Sequence, residues 1–277
     1  MQKFSLHSHT NSYGIFDGSN SIEEMIKAAE EKGFTEYGIS NHMICYPDYM
    51  LYPVPIYFKS FDVALDIYKK LVNDIREAAA RYPMKVRVGF EVNFFRNAAW
   101  RKKFEKAIKQ LDVDYLIGAN HDLFDNDFKK VCSIYDIRDK KINLPPEVLA
   151  EWTHNHWRSS IEMVKSGYFD FIAHFDVIKE MLIPEDSIAE DLKWKMAETL
   201  IEHKQPFELN TSYNRVDEQS PSEELLRELG KNNIPVLISD DSHDTNAICQ
   251  HFEKAEVLLA KLNYENRWRP PSKAKIK

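Results

Sequence analysis

Seven times along this chain, a short run of β-forming apolar residues is followed by a longer stretch whose apolar residues recur at helical spacing. A chain that alternates in this way builds a parallel sheet with helices packed outside it, because each helix must return the chain to the edge where the next strand starts. Strands are expected at 3–7, 36–40, 86–92, 115–119, 169–173, 206–210 and 235–239. Between them, helices are expected from Ser21 to near Gly33, over 61–81, 98–111, 146–167 and 188–203, from Pro221, and over 247–262. Ser21 and Glu24 form a capping box, and Gly33 suits the position after the helix end. Two long connections interrupt the pattern, a Pro- and Tyr-rich one at 43–59 and a charged one at 122–145. Long connections of this kind are often lids or binding loops.

A length of 277 residues fits one α/β barrel as well as two smaller domains. No boundary is visible, so residues 1–268 are read as one domain and 269–277 as a flexible basic tail. No apolar run is long enough to span a membrane and the start lacks a signal-peptide layout, so the expectation is a cytoplasmic protein with no membrane partner. A net charge of −7 argues against a general nucleic-acid binder. Cys45, Cys132 and Cys249 are scattered and odd in number, which excludes a disulfide framework or a zinc ribbon.

The strand ends carry the chemistry. His7 and His9 close the first strand, and residues two apart on a strand point the same way. His42 follows the second strand, Glu91 lies in the third on the side opposite Phe90, and His121 follows the fourth. His174 follows the fifth, Asp241 and His243 follow the seventh, and Asp17 in the first loop can join them. In a parallel barrel these ends converge on one face. So many imidazoles would repel one another if charged, and neutral imidazole with carboxylate is a good ligand set for Zn²⁺, Mn²⁺ or Fe²⁺. Nine groups suit two or three divalent ions, and a shared carboxylate would hold two ions a few ångströms apart, as phosphoester hydrolysis requires. His154, His203 and His251 fall on expected helices and are read as structural or solvent-facing; His156 is left out of the site.

Read in order, Leu6-His7-Ser8-His9-Thr10, Asp17-Gly18, Ser40-Asn41-His42, Gly89-Phe90-Glu91-Val92, Gly118-Ala119-Asn120-His121, Ala173-His174-Phe175-Asp176 and Ser239-Asp240-Asp241-Ser242-His243 resemble the motifs of the PHP (polymerase and histidinol phosphatase) family of metal-dependent phosphoesterases. The resemblance covers nearly the whole chain. It implies a distorted seven-stranded (β/α)7 TIM-like barrel and three metal sites. His7, His9, Glu91 and Asp241 would hold the first ion, Glu91 with His121 and His174 the second, and Asp17, His42 and His243 the third. Glu91, Asp241 and His243 form the implied catalytic set. The stretches around Glu91, from His174 to Lys179, and from Glu208 to Ser212 resemble the histidinol-phosphatase branch. Gly118-Ala119-Asn120 and Tyr213-Asn214-Arg215 depart from that branch's commoner residues, and both border the expected substrate pocket.

The expected reaction is hydrolysis of a small phosphate monoester, L-histidinol phosphate first among candidates, by a hydroxide held between the ions. Arg215 is the candidate phosphate contact. Asp122, Asp240 and Asp244 flank ligands and are expected to orient their rings. Two readings compete: a phosphoesterase of the same family acting on nucleotides or other phosphate esters, and an inactive metal-binding module. The second predicts gaps in the ligand set, which here is whole.

Overall fold

A computed structural model describes residues 1–44, 60–212 and 218–270 of the chain. The expected lid at 43–59 therefore lies outside the described residues apart from Met43 and Ile44. So do Arg215 and all but the first two residues of the expected tail.

The chain opens with β1 (Phe4–Ser5), α1 (Ile22–Glu31) and β2 (Glu36–Ile39). The capping box at the start of α1 is present: Ser21 Oγ accepts from the Glu24 amide, and the Glu24 carboxylate accepts from the Ser21 amide at 2.8 Å. Gly33, at φ 77°, takes the left-handed turn out of the helix. Next come β3 (His42–Met43), α2 (Phe61–Ala79), β4 (Lys85–Asn93), α3 (Ala98–Ile108) and β5 (Tyr115–Ala119). The charged connection folds into a hairpin, β6 (Asp122–Phe124) with β7 (Lys130–Ser133), and a short helix α4 (Ile134–Arg138). The remainder is α5 (Pro146–Ser166), β8 (Phe171–Ile172), α6 (Ser187–His203), β9 (Phe207–Asn210), α7 (Glu223–Lys231), β10 (Val236–Ser239) and α8 (Phe252–Lys261).

Seven parallel strands run in the order β1-β2-β4-β5-β8-β9-β10, and β3 extends the sheet by pairing with β4 beyond the end of β2. The sheet curls into a nearly closed barrel, and the seam between β10 and β1 is closed piecemeal. The Gln2 side-chain amide donates to the Ile238 carbonyl at 2.6 Å and accepts from the Ile238 amide at 3.0 Å, standing in for a backbone rung. Further along, Ser8 bridges Ser242, with the His9 amide donating to the Ser242 carbonyl at 2.8 Å. At the other end, the chain after α8 returns so that Arg267 bridges Val236. Among the described residues no helix is long and apolar enough to cross a membrane.

Alternation along the strands divides the apolar residues between two layers. Phe4, Leu6, Tyr115, Ile117, Ala119, Phe171, Ala173 and Leu237 fill the barrel interior, with Trp268 packed against them. Their neighbours, such as Val88, Phe90, Leu116 and Ile238, face the helices and join the larger outer core. Inside, the Tyr115 hydroxyl donates to the Leu6 carbonyl at 2.6 Å. Its ring fits because Gly38 and Gly89 bear no side chain: a Cβ would stand 2.2 Å from the hydroxyl oxygen at Gly38 and 2.3 Å from the ring at Gly89.

Two expectations are corrected. Residues 247–251 are turns, not the start of a helix; α8 begins at Phe252. The Asp240 carboxylate accepts from the Cys249 amide at 2.6 Å, and His251 takes a left-handed φ of 56°, so helical bonding starts one turn later than the periodicity suggests. His251 is therefore the residue preceding α8 and not helical.

The fit around Tyr115 yields a prediction. Gly89→Ala should lower the unfolding free energy by about 1–3 kcal/mol through overpacking, measured by denaturant titration of the metal-free protein. An unchanged midpoint would contradict the packing described.

Candidate metal centre

At the carboxyl end of the barrel, the nine side chains singled out from the sequence come together. Their centre is Glu91 on β4, 1% exposed. One of its oxygens, Oε2, lies 3.3 Å from His7 Nε2, 3.4 Å from His9 Nε2 and 2.9 Å from His42 Nδ1. The other, Oε1, lies 3.2 Å from His121 Nε2 and 2.9 Å from His174 Nε2. Asp241 Oδ1 closes one flank, 3.3 Å from His7 Nε2 and 3.1 Å from His9 Nε2. On the outer flank, Asp17 Oδ2 lies 3.1 Å from His42 Nε2 and 3.4 Å from His243 Nε2. Burial falls outward, from His7 and His9 at the floor to His243 and Asp17 at the rim.

Local structure explains the aim. His42 and Glu91 are register partners on adjacent strands, so their side chains leave the sheet side by side. Asp241 sits just past β10 at φ 47°, a left-handed conformation that Asp tolerates better than most residues. Phe90, next to Glu91, turns the other way and packs edge-on against Tyr68 in the outer core.

The set fits cations better than it fits itself. Among the described residues, seven buried polar atoms in it have no hydrogen-bond partner: His7 Nε2, both ring nitrogens of His9, His42 Nδ1, Glu91 Oε2, His174 Nδ1 and Asp241 Oδ1. Except for His174 Nδ1 and His9 Nδ1, these atoms crowd a common space at 2.9–3.4 Å without hydrogen-bond geometry. Orphaned buried acceptors are costly and rare. Within the cluster, four groups bring ligand atoms within 4.8 Å of one another: His9, Asp17, His42 and His243; His7, Glu91 and His174; His7, His9 and Asp241; His42, Glu91 and His121.

Electrostatics point the same way. Burial pushes the Glu91 carboxyl up, but His42, His7 and His121 outweigh it and hold it well below the usual range. Asp241 is likewise held down, by His7 and His9 against burial. Burial, with His243 and His42 nearby, lowers His9 to about 4, so its ring is neutral and ready to ligate at neutral pH. At the rim, burial depresses His243, yet Asp17 and Asp241 prevail and raise it to about 9.

The centre floors a cavity of 610 Å³. The hairpin and α4 supply one wall, with Ser133, Tyr135 and Arg138; Asp244, Ala247 and Gln250 line another part. Tyr135 and Arg138 were not singled out from the sequence. Their connection has no long apolar period, and the pairing of β6 with β7, with the Ile134 amide donating to the His121 carbonyl at 2.9 Å, brings α4 to the cavity. The Arg138 guanidinium stacks 4.5 Å from the Tyr135 ring centroid and donates to Glu180 at 2.8 Å.

Two of the flanking carboxylates act otherwise than expected. Asp240 accepts from Ser5 Oγ and the Cys249 amide, and Asp244 accepts from the Asn246 and Ala247 amides, so both fix backbone instead of rings. Burial raises Asp240 to about 6. Among the histidines set aside, His154 is bonded to Asp186 at the start of α6, and His203 ends that helix. His156 is fully buried, 3.0 Å from the Asp122 carbonyl, and burial lowers it to about 4.

Comparison with known proteins agrees with this architecture. Residues 5–212 match the family model of the PHP domain. The chain belongs to the PHP family. It is 24% identical over 260 residues to a Deinococcus radiodurans protein named "Probable histidinol-phosphatase", covering 90% of this chain and 89% of the relative. In fold it is similar to the crystal structure of histidinol phosphate phosphatase from Lactococcus lactis in complex with zinc, L-histidinol and phosphate. That likeness has a TM-score of 0.66 at 15% identity, over 96% of this chain and 95% of the other. The expectations of a PHP-type barrel and of membership in this family are borne out.

The raised His243 gives a test. Above its folded pKa the ring is neutral; at pH 7.5 it carries a proton that a cation must displace. Adding Zn²⁺ to the metal-free protein in weak buffer at that pH should release protons, read with an indicator dye, and the release should shrink above about pH 9. Zinc uptake without proton release would contradict the charge state described.

Proposed function

We propose that this protein hydrolyses a small phosphate monoester, with L-histidinol phosphate the first candidate, at a centre of two or three divalent ions. The observation that carries the reading is the crowd of partnerless buried imidazole and carboxylate atoms at the floor of the cavity. His7, His9, Glu91 and Asp241 would hold one ion, Glu91 with His121 and His174 a second, and Asp17, His42 and His243 a third. Zn²⁺, Mn²⁺ and Fe²⁺ all suit this donor set. Ions bound there would acidify a water for attack near neutral pH and offset the charge that grows on phosphate oxygens.

The chain's own residues do the rest. Glu91 and Asp241, held ionised by their histidines, supply the negative charge that keeps cations in place. Arg138 and Tyr135 line the same cavity as Asp17 and His243, and a guanidinium there suits a phosphate oxygen. Arg215 remains the other candidate for that contact. Asp122 and Asp244 on the cavity lining suit a cationic substrate head, which supports an amino alcohol phosphate over the phosphate ester of an uncharged alcohol. The relative and the structural neighbour are both named for histidinol phosphate hydrolysis, which supports the same substrate.

Phosphate release from L-histidinol phosphate by zinc- or manganese-loaded protein, run beside nucleotides and sugar phosphates, tests the substrate. The expected kcat/KM is about 10⁴ M⁻¹s⁻¹ or more, well above the panel. Uniformly slow release would move the substrate elsewhere. His9→Ala and Asp241→Ala should each cost more than about 100-fold, since loss of even a ligand's outer partner commonly costs 10- to 100-fold. Unchanged turnover in either would remove these residues from the centre.

A further inference from the structure

We propose that Glu208 on β9 is the positioning residue of this centre, fixing the ring state of His7 and joining three of the ligands; the proposal rests on the metal reading above. Glu208 is fully buried and lies behind the ligand cluster. Its Oε2 is 2.8 Å from His7 Nδ1. Its Oε1 accepts from the His174 backbone amide at 3.0 Å and from Asn210 Nδ2 at 2.8 Å. The same Asn210 nitrogen lies 3.3 Å from Asp241 Oδ2. One carboxylate thus reaches His7 after β1 directly, His174 after β8 through its backbone, and Asp241 after β10 through one amide.

The donor arithmetic fixes the proton on His7. An ionised carboxylate only accepts, so the nitrogen facing Glu208 carries the hydrogen. Nε2 is left facing the space shared with Glu91 Oε2 and Asp241 Oδ1, each 3.3 Å away, where a cation would take its lone pair and displace any proton those carboxylates hold on it. A ring held this way by a carboxylate is pre-set to ligate and is a stronger base.

The isosteric amide should reverse this arrangement. In Glu208→Gln the side-chain oxygen must face the two N–H donors of His174 and Asn210, because an amide NH₂ there would meet donors with a donor. The NH₂ then faces His7 Nδ1, which can pair with it only as an acceptor. The single proton of the neutral ring then belongs on Nε2, where it blocks the ligand position. Shape and hydrophobic packing are unchanged, so the variant separates orientation from support of the fold.

The experiment compares wild type and Glu208→Gln, both stripped with EDTA. Zinc affinity is measured by competition with a chromophoric chelator, and metal-free thermal unfolding serves as the fold control. The expected result is tightest-site zinc affinity lower by about 10- to 100-fold in Glu208→Gln, with the metal-free unfolding midpoint unchanged. Equal affinity in the two proteins would overturn the proposal. A wild type that binds no zinc would instead overturn the metal reading beneath it. A second measurement needs no variant: ¹⁵N–¹H correlation of the zinc-loaded wild type should show His7 protonated at Nδ1, and a proton at Nε2 would equally overturn the assignment.

Discussion

Five imidazole nitrogens lie within 3.4 Å of the two oxygens of Glu91, a carboxylate 1% exposed to solvent. A carboxylate taken this far from water is tolerated only when opposite charge or metal surrounds it. The surrounding histidines come from four separate strand ends, which must therefore meet within a few ångströms. The barrel exists to make that meeting possible. Parallel strands bring their carboxyl ends to one face, and Glu91 projects from within β4, beside His42 of β3, to serve as their common partner.

Closure of the barrel follows from the same demand. His7 and His9 lie at one side of the seam and Asp241 and His243 at the other. No continuous backbone ladder joins β1 to β10 among the described residues. The Gln2 amide and the Ser8–Ser242 bridge do that work in turn, and the returning Arg267 segment pairs with the start of β10. The Ser8–Ser242 bridge lies beside both ligand pairs, so closing the sheet and assembling the centre are one event.

The alternation of strand and helix was legible because each element is amphipathic with its own period, and the ligands were legible because they fall where strands stop. Seven of the nine side chains that converge were visible as residue types at those stops, while Glu91 stood inside the third expected strand and Asp17 in the first loop. What escaped notice depends on contacts remote in sequence. Glu208 stood in a motif, but nothing near it reveals that it faces His7, 201 positions away. The pocket wall of Tyr135 and Arg138 depends on a short hairpin with a register shift between Leu123 and Phe124, too brief to give a period. Asp240 looked like a ring partner by proximity to Asp241, yet its side chain turns to Ser5 and to the turn that delays α8.

The Glu91 cluster has the donor set and the geometry of a divalent metal centre. The most direct test of that reading is anomalous diffraction from crystals grown with Zn²⁺ and measured on either side of the zinc edge. The account predicts two or three anomalous peaks at the floor of the cavity, at about 2.0–2.3 Å from the nitrogen and oxygen atoms of the nine side chains, with Glu91 touching two of them. An ordered cluster in crystals grown with zinc, carrying no anomalous peak among its side chains, would contradict it.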